Sequence, residues 1–378
     1  MRLLIDYRPA LRGRSGAGEY THELAAALLA RAAADPARPL AVTLFSSSWK
    51  DRLQPQPELC GALAADLRIP VSLVNLLWHR LERPKVESLT HAAYDVVHSS
   101  HPLLLPARHA AQVITIHDLD FLAHPERTHA EIRRDYPALV ASHAARADAI
   151  IVPSHSTASE VALRLEVPPE RLHVCAPGAP DWAPRTRLPR NGYLLFFGTL
   201  EPRKNVGGLL DAYERLLTDQ TTPPPPLVLA GRARPEAADW LARIARPPLA
   251  GHVTHLGYVE PADREALYAG ASLLVLPSFD EGFGIPALEA MTIGVPVVAA
   301  RCGALPEVLG DAGVLVDPLD SADIAAGLRR LFTDHGLAAD CIARGLSRAG
   351  RYRWSETAAR ALEAYDRAIE RRQTRGTP

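Results

Sequence analysis

Short, almost unbroken apolar runs alternate along this chain with longer stretches of helical period. A run of this kind bounded by turn formers reads as a strand buried on both faces. Such runs occupy residues 3–7, 40–45, 149–153 and 172–175, then 193–197, 227–231, 272–276 and 295–300, while 96–101, 113–119 and 255–259 read as strand ends carrying polar residues. Helical spacing of apolar positions marks 19–34, 130–147, the stretch up to 165, 321–332 and 352–365. Pro137 predicts a kink or restart in the second helix. Ser154 or Ser156 is placed to cap the third, and Ser355 the last. Residues 176–190, rich in proline and without periodicity, read as a linker. Strand–helix alternation on both sides predicts an α/β chain of two doubly wound, Rossmann-like domains, residues 1–180 and 191–352, rather than one barrel. A site is expected in the cleft between them, and the tail from Arg371 is expected to be disordered.

Composition narrows the class only a little. The chain has 378 residues, 47% hydrophobic and 22% charged, which are globular values. A formal net charge of −1 gives no general pull toward nucleic acid. Four cysteines without metal spacing suggest reduced thiols in a cytoplasmic protein. The apolar start is too short for a signal peptide, and no stretch reaches the ~20 apolar residues of a spanning helix. Residues 68–85 join an apolar body to a basic end. They read as a core-packing helix with a solvated tip, or as an interfacial helix with Trp78 at headgroup level and Arg80, Arg83 and Lys85 near lipid phosphates, a peripheral membrane contact.

The candidate chemistry centres on the segment after the run at 272–276. Gly282 and Gly284 precede Pro286 at a predicted helix start, and Gly294 stands at its stop. Free N–H groups at such an opening favour a phosphate or diphosphate. Glu281 and Glu289 flank the opening, and carboxylates there suit hydroxyls rather than anions. A diphosphate with hydroxyl-rich groups on both sides describes a nucleotide-sugar. A plain βα connection is the plainer reading of the same residues. Arg203 and Lys204 follow the run at 193–197, where a forked guanidinium and a point charge can neutralise a diphosphate leaving group. Gly13, Gly16 and Gly18 miss the spacing of a dinucleotide loop, since position 21 is Thr. His98 and His101 suggest a metal pair but lack a third ligand. His117 and Asp118 end a strand, at the edge where open α/β sheets bind ligands.

Several of these segments together resemble family 4 glycosyltransferases. The E-x7-E segment from Glu281 to Glu289, the run 198–205 (GTLEPRKN) and the His117-Asp118 pair carry the likeness, followed more loosely by 121–126 and the helix at 352–365. The resemblance implies a GT-B fold, with residues 353–372 as a helix crossing back to the first domain. It implies a retaining hexosyltransferase akin to mannosyltransferases of bacterial surface polysaccharide assembly, using GDP-mannose without a metal. Glycan or polyprenyl-linked molecules are the implied acceptors. In such a reading Arg203, Lys204 and the backbone N–H groups of Gly282, Phe283, Gly284 and Ile285 hold the diphosphate. Glu281 takes sugar hydroxyls, Glu289 the ribose, His117 faces the donor sugar, and Gly16 and Gly18 line the site. A nucleotide-sugar epimerase and a non-catalytic sugar-nucleotide sensor are the rival readings.

Overall fold

The computed structural model describes residues 1–11, 14, 16–124, 130–219 and 222–375. The chain divides into two compact units: Met1–Gly178 with the segment from Arg353 onward, and Ala179–Tyr352. The first holds β1 (Arg2–Asp6), β2 (Ala41–Ser47), β3 (Leu63–Leu67), β4 (Val96–Ser99), β5 (Ala111–Thr115), β6 (Ala149–Val152) and β7 (Leu172–Val174). They pair in parallel in the order β3-β2-β1-β4-β5-β6-β7. Between them run α1 (Ala17–Ala34), α2 (Val71–Leu81), α3 (Val86–Thr90), α4 (Asp120–Ala123), α5 (Ala130–Arg146) and α6 (His155–Arg164). β6 is buried at every position, which is why it reads as an unbroken apolar run; β4 is equally buried although it ends in His98 and Ser99.

The second unit holds β8 (Tyr193–Phe197), β9 (Leu227–Ala230), β10 (Val253–Gly257), β11 (Ala271–Leu276), β12 (Val297–Ala300) and β13 (Gly313–Val316). These are also parallel, in the order β10-β9-β8-β11-β12-β13. Its helices are α7 (Val206–Thr218), α8 (Ala238–Ile244), α9 (Pro261–Ala269), α10 (Ile285–Ile293), α11 (Leu305–Leu309), α12 (Ser321–Thr333) and α13 (His335–Ala349). The last helix, α14 (Trp354–Arg375), returns to the first unit, where Ala358, Ala361, Ala364, Tyr365 and Ala368 join the core around Leu3 and Ile5. Alanines on that face let the helix lie close on the sheet.

Several expectations need correction. α5 runs through Pro137 without a break, so no restart occurs there. Ser154 caps α6 by accepting from the Thr157 N–H, but α14 already begins at Trp354, which puts Ser355 inside its first turn. The tail is not disordered from Arg371: the helix continues to Arg375, whose guanidinium donates to the Arg146 carbonyl and to Asp148. The division between the two units falls inside the proline-rich stretch, as expected of a linker, though its residues from Ala179 pack with the second unit. There the Arg185 N–H donates to the Ile293 carbonyl, and its side chain to the Ala271 carbonyl at 2.5 Å. Trp78 does not reach outward. It is buried against Phe45 with ring centroids 5.5 Å apart, and its indole N–H donates to the Pro84 carbonyl at 2.8 Å. No helix among the described residues is long and apolar enough to cross a membrane.

Candidate active site

In the second unit the strand order reverses between β8 and β11, and loops leaving the carboxyl ends of two such strands border a crevice. After β8 the chain makes one 3-10 turn, Pro202–Lys204, and then Asn205 adopts a left-handed φ of 54°. The Asn205 carboxamide accepts from the Gly208 N–H to cap α7, and donates to the carbonyls of Pro277 at 3.1 Å and Pro318 at 2.7 Å. The Phe279 N–H donates to the Arg203 carbonyl at 2.8 Å. These bonds stitch the loop after β8 to the loop after β11, so the cations and the acid they carry are held together.

Glu281 lies at the centre of that arrangement and is 6% exposed. Lys204 Nζ donates to its Oε1 at 2.6 Å, the Ser278 hydroxyl donates to the same oxygen at 2.7 Å, and Arg203 stands 3.6 Å from Oε2. Burial alone would raise this carboxyl, but Lys204 and Arg203 outweigh it and hold it below the usual range. Glu281 is therefore an anion and an acceptor. Arg203 also donates to the Asp280 carbonyl at 3.1 Å and to Glu201 at 3.3 Å, and Arg234 grips the other Glu201 oxygen at 3.1 Å. Glu201 thus orients Arg203, and Ser278 the acid; neither was singled out in the sequence.

Glu289 sits in the second turn of α10 and is 4% exposed. The Tyr268 hydroxyl donates to its Oε2 at 2.6 Å, and Arg264 lies 3.6 Å from Oε1 and 5.8 Å over the Phe197 ring. Burial, with the Glu289 carboxylate beside it, pushes the Tyr268 phenol well above its ordinary value, so it remains a donor. Arg264 and Tyr268 were also missed. Their spacing of four along α9, which puts both on one helical face, was the available signal.

The opening of α10 is shaped by glycine. Gly284, at φ 95°, precedes Ile285, and a Cβ there would stand 2.6 Å from Leu305 Cδ2. Gly303, at φ 56°, brings its backbone so close that a Cβ would lie 2.8 Å from the Glu281 N and O atoms, and the Ala304 N–H donates to the Glu281 carbonyl at 2.9 Å. Gly282 and Ile285 are partly exposed, whereas Phe283 is buried edge-on against Tyr352 with ring centroids 5.5 Å apart. Phe283 therefore offers its backbone, not its ring.

In the first unit the ordering is reversed between β1 and β4, and the polar groups at the strand ends are of another kind. The ring of His117, just past β5, packs edge-on to Tyr20 with centroids 5.2 Å apart. Burial lowers its pKa to about 4 against the opposing pull of Asp118 and a bond to the Ser100 backbone. Its Nε2 is buried without a partner. Neutral, with one ring nitrogen open, it can accept a hydrogen bond. His98 pairs with the hydroxyls of Thr115 and Tyr365, each at 2.8 Å, and His101 with Asp6 at 3.1 Å, so the two imidazoles point to different partners. Gly16 takes φ 50° ahead of α1, and a Cβ on Gly18 would come 2.6 Å from the Pro9 carbonyl oxygen. Local geometry thus accounts for both glycines. Gly13 and residues 125–126 of the looser likeness lie outside the described residues.

Comparison with known proteins gives the family. A model described as Glycosyltransferase Family 4 matches residues 14–181, and one described as Glycosyl transferases group 1 matches residues 191–334. The O-antigen chain mannosyltransferase B of Escherichia coli is 33% identical over 318 residues, covering 81% of this chain and 83% of that protein. A serotype-specific mannosyltransferase, WbdA, of the same organism is 30% identical over 241 residues, 60% of this chain but only 29% of that longer protein. Among solved structures, sucrose-phosphate synthase from Thermosynechococcus elongatus superposes with a TM-score of 0.75 at 20% identity, covering 97% of this chain and 98% of that one. The chain belongs to the group 1 glycosyltransferases and has their GT-B fold, built here as two doubly wound units.

Proposed function

We propose that this glycosyltransferase moves mannose from GDP-mannose to a hydroxyl of a glycan or polyprenyl-linked acceptor, with retained anomeric configuration, during assembly of a bacterial surface polysaccharide. The observation that carries the reading is the buried Lys204–Glu281–Arg203 cluster between the carboxyl ends of β8 and β11. The Escherichia coli relative named an O-antigen chain mannosyltransferase supports the choice of sugar and of pathway class.

As the bond from the sugar to the diphosphate breaks, negative charge grows on the leaving phosphate oxygens. Arg203, with its forked donors, and Lys204 stabilise that charge together with the N–H groups of Gly282 to Ile285 at the opening of α10. Lys204 has three N–H donors, and Glu281 needs only one of them. These groups replace a metal, so chelators leave the rate unchanged. Glu281, held ionised, accepts from sugar hydroxyls. Glu289, aimed by Tyr268 and Arg264, accepts from the ribose. The unpartnered Nε2 of His117 accepts from a donor-sugar hydroxyl, and Gly16 and Gly18 keep a narrow loop beside the substrates.

A thermal-shift panel of nucleotide-sugars tests the donor first, because a ligand that binds only the folded chain raises Tm by mass action. GDP-mannose is expected to give the largest rise, and GDP release is expected only when an acceptor is added. Conversion of the donor to an isomer without acceptor would identify an epimerase instead. Binding without turnover on any acceptor would identify a sensor.

A further inference from the structure

Among the large hydrophobic side chains left exposed in the described residues, Trp49 is the one aromatic, and it is 70% exposed. An indole is a large surface to leave in water, since burying an aromatic side chain removes about 150–250 Å². Trp49 stands two residues past β2, at the carboxyl edge of the first sheet, the edge where such sheets meet ligands. Its root is not a loose loop. The Ser47 hydroxyl donates to the Ile69 carbonyl at 2.8 Å, the Ser48 N–H to the Leu67 carbonyl at 3.2 Å, and the Asp51 N–H to the Ser48 hydroxyl at 2.9 Å. The backbone on both sides of the ring is thereby fixed against β3 and the approach to α2.

Neutral hydrogen-bonding groups follow along the same edge. Arg8, just past β1, donates through two nitrogens to Asp6 and through a third to Asn75 Oδ1 at 2.9 Å, which orients the carboxamide and leaves its N–H donors available. His79 lies one turn further along α2 and, like Asn75, is half-buried. Burial, with His101 and Arg8 nearby, lowers its pKa to about 4, so at neutral pH its ring offers one donor and one acceptor. The arginines here are already matched, Arg8 by Asp6 at 2.7 Å and Arg52 by Asp66 at 2.8 Å. An anion therefore gains little at this edge. A sugar ring, with an apolar C–H face and a rim of hydroxyls, fits both the indole and the neutral polar groups.

We infer that Trp49 stacks on a sugar ring of the acceptor glycan at a subsite remote from the bond being formed, and that Asn75 and His79 take hydroxyls of the same chain. The inference rests on the proposed transfer to a glycan and names a residue that selects among acceptors. His117 also lies two residues past its strand. The order β2-β1-β4-β5 puts three strand spacings, about 14 Å, between the edge at Trp49 and the edge at His117. A single hexose cannot span that separation, whereas a chain of several sugars can. Trp49 therefore acts as a gauge of acceptor length. Size decides against a second copy of this chain as the occupant, since one indole falls far below the ~800 Å² per partner of a stable dimer.

Tryptophan emission of the full chain, titrated with α-linked mannotetraose in the absence of donor, tests the contact. The parent emission is expected to shift to shorter wavelength as the indole is covered. Trp49→Phe, which leaves four of the five tryptophans, is expected to show no shift. In turnover with GDP-mannose the parent is expected to have a lower KM for mannotetraose than for methyl α-mannoside. Trp49→Ala is expected to raise the KM for mannotetraose about tenfold, through KM rather than kcat, so that the advantage of the longer acceptor closes. Trp49→Phe, which keeps a flat ring, is expected to recover most of it. An emission shift retained in Trp49→Phe, or a length preference retained in Trp49→Ala, would overturn the inference. So would a parent chain that is dimeric in solution and becomes monomeric in Trp49→Ala, which would make the ring an interface between copies. The emission readout needs no donor, so a lack of transfer from GDP-mannose would count against the proposed function alone.

Discussion

The two units share one architecture and place different chemistry at the same edge. Both are parallel sheets whose order reverses near the middle, between β1 and β4 in one and between β8 and β11 in the other. At the edge of the second unit stand ions: Lys204 and Arg203 on Glu281, and Arg264 near Glu289. At the edge of the first stand imidazoles, His98 and His117, held uncharged by burial, beside a buried Arg8–Asp6 pair at 2.7 Å. The shared fold thus fixes where a ligand meets the chain, while the side chains decide which part of it. An edge with paired cations and a helix opening suits a diphosphate. A neutral imidazole with an unpartnered nitrogen, as in His117, suits a hydroxyl.

Removing one cation should break this contrast most strongly. Lys204→Ala is expected to lower transfer about 10²–10³-fold, the cost of deleting one donor to a charged transition state. Its circular dichroism should remain that of the parent, because Ser278 and Arg203 still satisfy Glu281. Full transfer by this variant would take the cation out of the reaction. Glu289→Gln is expected to weaken nucleotide binding about tenfold, the scale of a charge-assisted hydrogen bond, read by titration calorimetry. Tyr268→Phe should act in the same direction but only about threefold, since Arg264 still holds the other carboxylate oxygen. An unchanged Kd in both variants would separate Glu289 from the nucleotide.

Acid should distinguish the units without any mutation. His98 at about 3 and His117 at about 4 lie below their unfolded value of 6.5. Their contribution to stability is complete above pH 6.5 and is lost as pH falls from there through 4 toward 3. Glu281 is also depressed, from 4.5, so its contribution is complete above 4.5 and declines only below that. Hydrogen exchange at pH 5 should therefore show faster opening in the first unit than at pH 7, with little change around Glu281. Loss of protection in the second unit first would contradict the assignment of charges.

Much of this was legible in the chain, though unevenly. Gly294 marks the end of α10 through its left-handed φ of 79°, and the residues of β6, β11 and β12 announce buried strands by composition alone. The acids and the Arg203-Lys204 pair were identifiable because loops after strands carry chemistry in this kind of sheet. β3 was not, since Leu63–Leu67 lies exposed or half-buried and has no apolar signature. Arg264 and Tyr268 escaped because a helix that buries a tyrosine and an arginine against a carboxylate looks, in sequence, like an ordinary surface helix. The end of α14 escaped because Arg372 and Arg375 hold it through the Arg108 and Arg146 carbonyls and Asp148, all of them distant in sequence. The roles of Glu201, Ser278 and Asn205 likewise exist only once two loops meet.

The central claim is that the cations after β8 grip a diphosphate where α10 opens. Its most direct test is a double comparison by calorimetry: GDP against guanosine, on the parent chain and on Lys204→Ala. The account predicts at least tenfold tighter binding of GDP than of guanosine by the parent, and a gap that largely closes in the variant. A gap of the same size in both proteins would contradict it.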